Sequence, residues 1–140
     1  MRDIADRLEL RELAEAYAFA ADMRDRTAFS DVFTSEGVLL IDAGGRYEGR
    51  AEIAGVLDYL DDHYPRTLHF VGNHRVRLEG DRASGMVYCL AHHVYEREGV
   101  ERDTLMATRY LDQYVRTPDG WKIAQRTHYV DWEEDRPLTT

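Results

Sequence analysis

Residues 66–99 read RTLHFVGNHRVRLEGDRASGMVYCLAHHVYEREG. Two long runs rich in Val, Leu, Phe and Tyr flank Glu79-Gly80-Asp81, and Glu98-Gly99 closes the second run. Gly and Asp at a short connection supply the turn conformations that other side chains resist, so the stretch predicts an antiparallel hairpin. The same texture continues from Val100 to a third turn signal, Pro118-Asp119-Gly120, and one further strand follows it. Strands this long exceed the usual five or six residues, which predicts a strongly curved, bulged sheet rather than a flat one.

Upstream of this meander the periodicity is helical. Residues 3–21 contain no Gly or Pro and place Leu10, Leu13, Ala14, Tyr17 and Ala20/Ala21 at helical spacing. A short second helix is expected with Thr27 as its cap, carrying Phe29, Val32 and Phe33 and ending at Ser35-Glu36-Gly37. Val38–Ile41 reads as a short strand, Ala43-Gly44-Gly45 as a turn, and Arg46–Glu48 as the returning strand. A third helix over residues 50–63 presents Ile53, Val56, Leu57 and Leu60 and stops before Pro65, whose ring disfavours helix in the preceding residue. Three helices followed by a curved meander make an α+β fold able to enclose an apolar pocket.

At 140 residues with 44% hydrophobic and 32% charged side chains, the chain is expected to form one domain over residues 1–132, with 133–140 as a loosely held polar tail. The formal charge of −9 repels polyanions, arguing against nucleic acid and anionic membranes as partners. No apolar run approaches the roughly 18 residues of a spanning helix, and no signal-peptide core is present, so a cytoplasmic location is expected. Cys89 stands alone, which excludes an internal disulfide. Six histidines occur without a His-Glu-x-x-His helix, the Gly pairs lack the strand-to-helix pattern of phosphate loops, and Ser30, Ser84 and Cys89 lie in no nucleophile motif. Neither metal nor cofactor is expected.

The informative residues are polar side chains inside apolar strands: His69 and Asn73 in LHFVGNHRVRL, His92 and His93 in YCLAHHVY, and Arg109 in LMATRYL. Buried polar tips require partners. Pairing Leu78 with Ala83 across Gly80-Asp81 and counting outward sets His69 opposite His92 and Asn73 opposite Tyr88. The same count through Glu98-Gly99 sets His92 opposite Leu105 and Tyr88 opposite Arg109. One bulge would exchange His92 for His93, because alternate side chains face opposite ways. His74, five residues from His69, would point away from it in an unbroken strand. Imidazoles facing a pocket suit proton transfer near neutral pH, and Asp22, at the end of the first helix, is the candidate carboxylate to orient one of them.

At these residues the sequence resembles the SnoaL-like branch of the nuclear transport factor 2-like superfamily. The resemblance rests on Tyr17–Asp22, Phe29–Phe33 with Glu36-Gly37, Tyr47–Arg50, His69–Asn73, and Asp119–Ile123 with Arg126. It implies a cone: a curved, mainly antiparallel sheet wrapped by three helices from the N-terminal half around a deep pocket, assembled as a homodimer or higher homo-oligomer. Within that superfamily the His69-Phe70 segment and Asp22 resemble scytalone dehydratase, bile-acid 7α-dehydratase and hexachlorocyclohexane dehydrochlorinase, which eliminate water or HCl. Their roles, carried over, make His69 the base, Asp22 its orienting partner and Tyr17 an acid or substrate ligand. Pairing geometry favours His92 as the second histidine, whereas alignment through Gly85 favours His93. Asn73, Tyr88, His93, Arg109 and Arg126 are the candidate substrate-binding residues.

The expected activity is a cofactor-independent, dehydratase-type lyase acting on a small hydrophobic carbonyl or phenolic substrate. An isomerase or polyketide-type cyclase would begin with the same proton abstraction. A non-enzymatic ligand-binding module is the remaining alternative.

Overall fold

A computed structural model describes residues 1–42 and 44–139 of the chain. In order, its elements are α1 (Arg2–Met23), α2 (Arg26–Asp31), β1 (Phe33–Ile41), β2 (Gly45–Glu48), α3 (Gly49–His63), β3 (Arg66–Glu79), β4 (Arg82–Arg97), β5 (Val100–Thr117) and β6 (Gly120–Pro137). The six strands form one sheet in the order β2-β1-β6-β5-β4-β3, antiparallel throughout except for β1 beside β6. The three helices cover its concave face, and the core between them includes Leu10, Phe29, Phe33, Leu39, Ile53, Leu57, Val87, Trp121 and Ile123. The α+β fold expected from the sequence is the one observed. Among the described residues no helix is long and apolar enough to cross a membrane.

Three local readings are corrected. Asp25, not Thr27, caps α2: its carboxylate accepts from the Ala28 amide at 3.0 Å, two residues earlier than expected. Phe33 opens β1 instead of closing α2, because Arg50 of α3 donates to its carbonyl at 2.8 Å and holds the chain extended there. Residues 133–137 are not a loose tail but the end of β6, paired with β5 from Met106↔Glu133 to Arg102↔Pro137. Polarity misled there because this stretch is exposed, and the ladder together with Tyr95, Arg102 and Thr104 bonding Asp135 holds it without burial. Ala43, in the expected turn, and Thr140 lie outside the described residues.

The end of α1 is tied to the sheet by one residue. Arg24 adopts a left-handed conformation (φ 57°) and caps the helix, while its guanidinium donates to Ala21 O (2.6 Å), Thr67 Oγ1 (2.8 Å) and Tyr64 O (2.8 Å). The opposite end of α1 is held by Asp6, whose carboxylate receives both Arg116 terminal nitrogens at 2.9 Å and Trp121 Nε1 at 3.0 Å.

Register decides which side chains enter the cone. The β3–β4 hairpin pairs as counted from the turn, Leu78↔Ala83 through His74↔Val87, and then shifts by one residue at Gly72-Asn73. Beyond that bulge Val71 faces Cys89, and His69 faces Ala91 rather than His92. The bulge reverses the alternation, so both His69 and His74 turn inward, against the unbroken-strand expectation. The β4–β5 ladder runs without a shift and keeps His92↔Leu105 and Tyr88↔Arg109.

Candidate active site

Asp22 is the last polar residue of α1 before the Arg24 cap, so the contacts of Arg24 with β3 bring its carboxylate to the strand. Asp22 Oδ1 lies 2.7 Å from His69 Nδ1 and accepts from Thr67 Oγ1 at 2.9 Å, while Oδ2 accepts from the His69 amide at 2.9 Å. Burial pushes the Asp22 carboxyl up, but the His69 ring, the His69 amide and the Thr67 hydroxyl outweigh it and hold its pKa below the usual carboxylate value. An ionised Asp22 accepts, so His69 Nδ1 carries a proton and, in the neutral ring, the lone pair is on Nε2. Backbone and side chain of His69 are thus fixed by one carboxylate.

His69 lines a cavity of about 430 Å³ between the helices and the concave sheet. Tyr17, Tyr47, Tyr59, Tyr64 and Tyr110 supply much of its wall, with Val56, Leu60, Met106 and Val130 between them. Two further imidazoles, His93 and His128, complete the lining. The His93 ring stands edge-on to His69 at 5.8 Å and to Tyr64 at 4.9 Å, and Nδ1 donates to Thr104 O at 3.2 Å. Burial, with a smaller contribution from neighbouring His69, lowers the His93 pKa to about 4. Burial likewise lowers that of His128 to about 4, reinforced by the charge of Arg126. Both are neutral at pH 7.

Behind Tyr17 and Tyr110 lies a fully buried cation. Arg126 donates from Nε and one terminal nitrogen to the Asp112 carboxylate at 2.8 Å each, and its guanidinium carbon sits 4.4 Å from the Tyr17 ring and 4.3 Å from the Tyr110 ring. Burial opposes the Arg126 charge, but Asp112 more than compensates and raises its pKa. Asp112 also accepts from Tyr114 OH at 2.7 Å, and that hydroxyl meets His74 Nε2 at 3.1 Å. Burial raises the Tyr17 pKa to about 12 against the lowering effect of Arg126, so the phenol keeps its proton at neutral pH.

Of the sequence-derived candidates, Asp22, His69, Tyr17 and His93 gather at the cavity or directly behind it, and Arg126 lies beneath Tyr17. His92 does not join them. Plain alternation along β4, with Cys89, Ala91 and His93 facing inward, leaves it on the outer face, where Nδ1 meets Asp103 Oδ2 at 2.6 Å; the bulge in β3 turns only His69 inward. Asn73, Tyr88 and Arg109 are likewise outside: they line a groove of about 610 Å³ on the convex side of the sheet, and Arg109 is paired with Asp131 at 2.7 Å. The count that aligned Tyr88 with Arg109 was right about their register and wrong about their face, because it carried no bulge in β3. Among the described residues no group of three His, Cys, Asp or Glu side chains is placed to hold a metal ion.

Sequence reasoning missed His128, Tyr59 of α3, Tyr64 just past its end and Tyr47 of β2. A signal for His128 existed: two residues beyond Arg126 on one strand, it must share that residue's face. A register shift in the β5–β6 ladder at Gln113/Tyr114, between the Asp119-Gly120 turn and the Tyr110↔His128 pair, hid it from any count made from that turn.

A curved sheet enclosing a side-chain-lined cavity under three helices defines the α+β cone of the nuclear transport factor 2-like superfamily. Residues 2–127 match the SnoaL-like domain, and the chain belongs to that family. Rv2910c, an uncharacterised protein of Mycobacterium tuberculosis, is 34% identical over 125 residues, spanning 89% of this chain and 84% of that protein. A Novosphingobium aromaticivorans protein provisionally named an aromatic ring hydroxylase is 29% identical with a TM-score of 0.83, covering 96% of this chain and 94% of that one. Hexachlorocyclohexane dehydrochlorinase LinA type 2 is 19% identical with a TM-score of 0.87, over 98% and 91% of the two chains, and shares the fold. So does an N. aromaticivorans protein provisionally named scytalone dehydratase, 18% identical with a TM-score of 0.85 over 100% and 95%.

Proposed function

We propose that the protein is a cofactor-independent lyase of the dehydratase type, acting on a small hydrophobic carbonyl or phenolic substrate. The observation that carries this reading is the 2.7 Å contact that leaves His69 Nε2 as a free base at an apolar cavity. A substrate C–H made acidic by an adjacent carbonyl gives its proton to Nε2, and the charge formed on His69 is stabilised by ionised Asp22. The resulting enolate forms the new double bond as the C–O bond to a neighbouring hydroxyl breaks. Tyr17, protonated up to about pH 12, supplies the proton that turns departing hydroxide into water, with the Arg126 cation behind its ring. The proton on His69 then restores the phenol, closing the balance. His93, neutral and already donating through Nδ1, takes no part as an acid. An aromatic substrate fits the tyrosine-rich wall and the name given to the N. aromaticivorans relative.

The test is turnover by wild type, His69→Ala and Asp22→Asn on hydroxylated cyclic ketones, read by mass. A product lighter by one water, with turnover reduced about 100-fold or more in both variants, is expected. Unchanged product mass, or wild-type turnover by His69→Ala, overturns the reading.

The convex face supports a homodimer. Leu68, Phe70, Tyr88, Leu90, Leu111 and Trp132 are exposed there on four adjacent strands, interrupted by the Arg109–Asp131 pair, a concentration of apolar side chains that monomeric proteins seldom leave open. Sedimentation should give twice the chain mass, and Leu90→Asp should return it to monomer.

A further inference from the structure

We infer that His128 is a substrate-recognition residue that accepts a hydrogen bond from a hydroxyl group on an uncharged aromatic ring bound in the cavity. The inference rests on the cavity proposed above as the substrate site and specifies what that site admits.

His128 projects from β6 into the cavity beside Tyr110, with ring centroids 5.2 Å apart. Its ring makes no hydrogen bond to any described residue, although its backbone carbonyl accepts from Asp42 N at 2.9 Å. The other two cavity histidines each have Nδ1 engaged, His69 by Asp22 and His93 by Thr104 O, and both rings are thereby oriented. His128 alone among the three has both nitrogens uncommitted. An imidazole in an apolar wall with neither nitrogen bonded to the protein leaves both to solvent in the cavity or to a ligand that takes its place. Burial, reinforced by the charge of Arg126 beside it, keeps the ring neutral, so it offers one lone pair and one N–H, and the lone pair is the partner for a hydroxyl proton.

The same wall selects against anions. No Lys or Arg is among the described lining residues, Asp42 is among them, and the nearest cation, Arg126, is fully buried behind Tyr17 and Tyr110 with its charge paired to Asp112 through Nε and one terminal nitrogen, the other terminal nitrogen being unpartnered. A carboxylate or phosphate would lose its hydration with no countercharge to replace it. A neutral aromatic ring instead packs against the tyrosines, and its hydroxyl proton meets His128.

The probes are 2-naphthol, its methyl ether (the same ring without the donor) and 2-naphthoate, measured by calorimetry with wild type, His128→Phe and His69→Ala. Wild type should bind 2-naphthol about tenfold more tightly than the ether, the size of one hydrogen bond of about 1.4 kcal/mol. His128→Phe should erase that ratio, His69→Ala should keep it, and 2-naphthoate should bind more weakly than 2-naphthol. In wild type labelled with nitrogen-15 at histidine, 2-naphthol but not the ether should shift the His128 ring resonances, a readout that does not depend on the variant folding. Wild type failing to bind 2-naphthol at 1 mM (about), a ratio unchanged in His128→Phe, 2-naphthoate binding as tightly as 2-naphthol, or unshifted His128 resonances overturns the inference. Turnover retained by His69→Ala with the ratio intact would remove the elimination chemistry and leave this subsite standing; the reverse pattern would do the opposite.

Discussion

At the scale of single residues, the cavity is built by holding titratable groups away from their ordinary charge. His93 and His128 both have pKa values of about 4 in the fold against an ordinary 6.5. Between pH 6.5 and 4 the unfolded chain therefore binds protons that the folded chain refuses, so stability falls as pH falls through that window. The slope is at most about 1.4 kcal/mol per pH unit for each imidazole. Urea midpoints should be lower at pH 5 than at pH 7, and His128→Phe should flatten the difference; an equal slope in that variant contradicts the burial argument. Asp112 and Arg126 illustrate the converse, a buried pair stable only as a pair. Asp112→Ala should lose about 3 kcal/mol in denaturant unfolding by stranding the guanidinium, whereas Asp112→Leu with Arg126→Met should cost less than the single changes summed. Asp22 and His69 were legible from the sequence because each is a polar group set in an apolar segment. His128 was missed, since its position relative to the turn depends on the irregularity at Gln113/Tyr114, which composition does not mark.

Among the elements, the bulge at Gly72-Asn73 decides the site. Without it the inward set of β3 near the mouth would be Leu68 and Phe70, and His69 would stand among the exposed side chains of the outer face. Deleting Asn73 should separate His69 from Asp22, abolishing turnover and the protection of the His69 ring proton seen by NMR, while β4–β5 pairing persists. Gly85 guards the other side of the same hairpin. A Cβ there would lie 2.8 Å from Arg75 O and 3.0 Å from the Tyr114 ring. Gly85→Val should therefore destabilise by about 2 kcal/mol, read as a lower urea midpoint. Strand limits were readable because three turns carry Gly or Asp at their tips. The bulge was not, for Gly72-Asn73 is as compatible with a regular strand of low propensity as with an extra residue.

For the molecule as a whole, helical periodicity followed by four long strands was enough to read the α+β class, and the resemblance supplied the cone. The faces of the sheet were harder, since a curved sheet with a filled inside and an apolar outside shows no simple polar-out pattern: Leu68, Phe70, Leu90 and Trp132 are apolar yet exposed. That is why Tyr88 and Arg109 were placed in the pocket and belong outside it.

The parallel seam between β1 and β6 joins the beginning of the chain to its end: Leu39 sits beside Arg126, and Ile123 N donates to Val32 O at 2.8 Å. During synthesis the first strand emerges long before its neighbour exists, so the opening helices and hairpin must wait, with Leu39 and Phe33 uncovered, until the last turn has left the ribosome. Such distant pairing slows folding and lengthens the time for which those apolar side chains stand open to solvent.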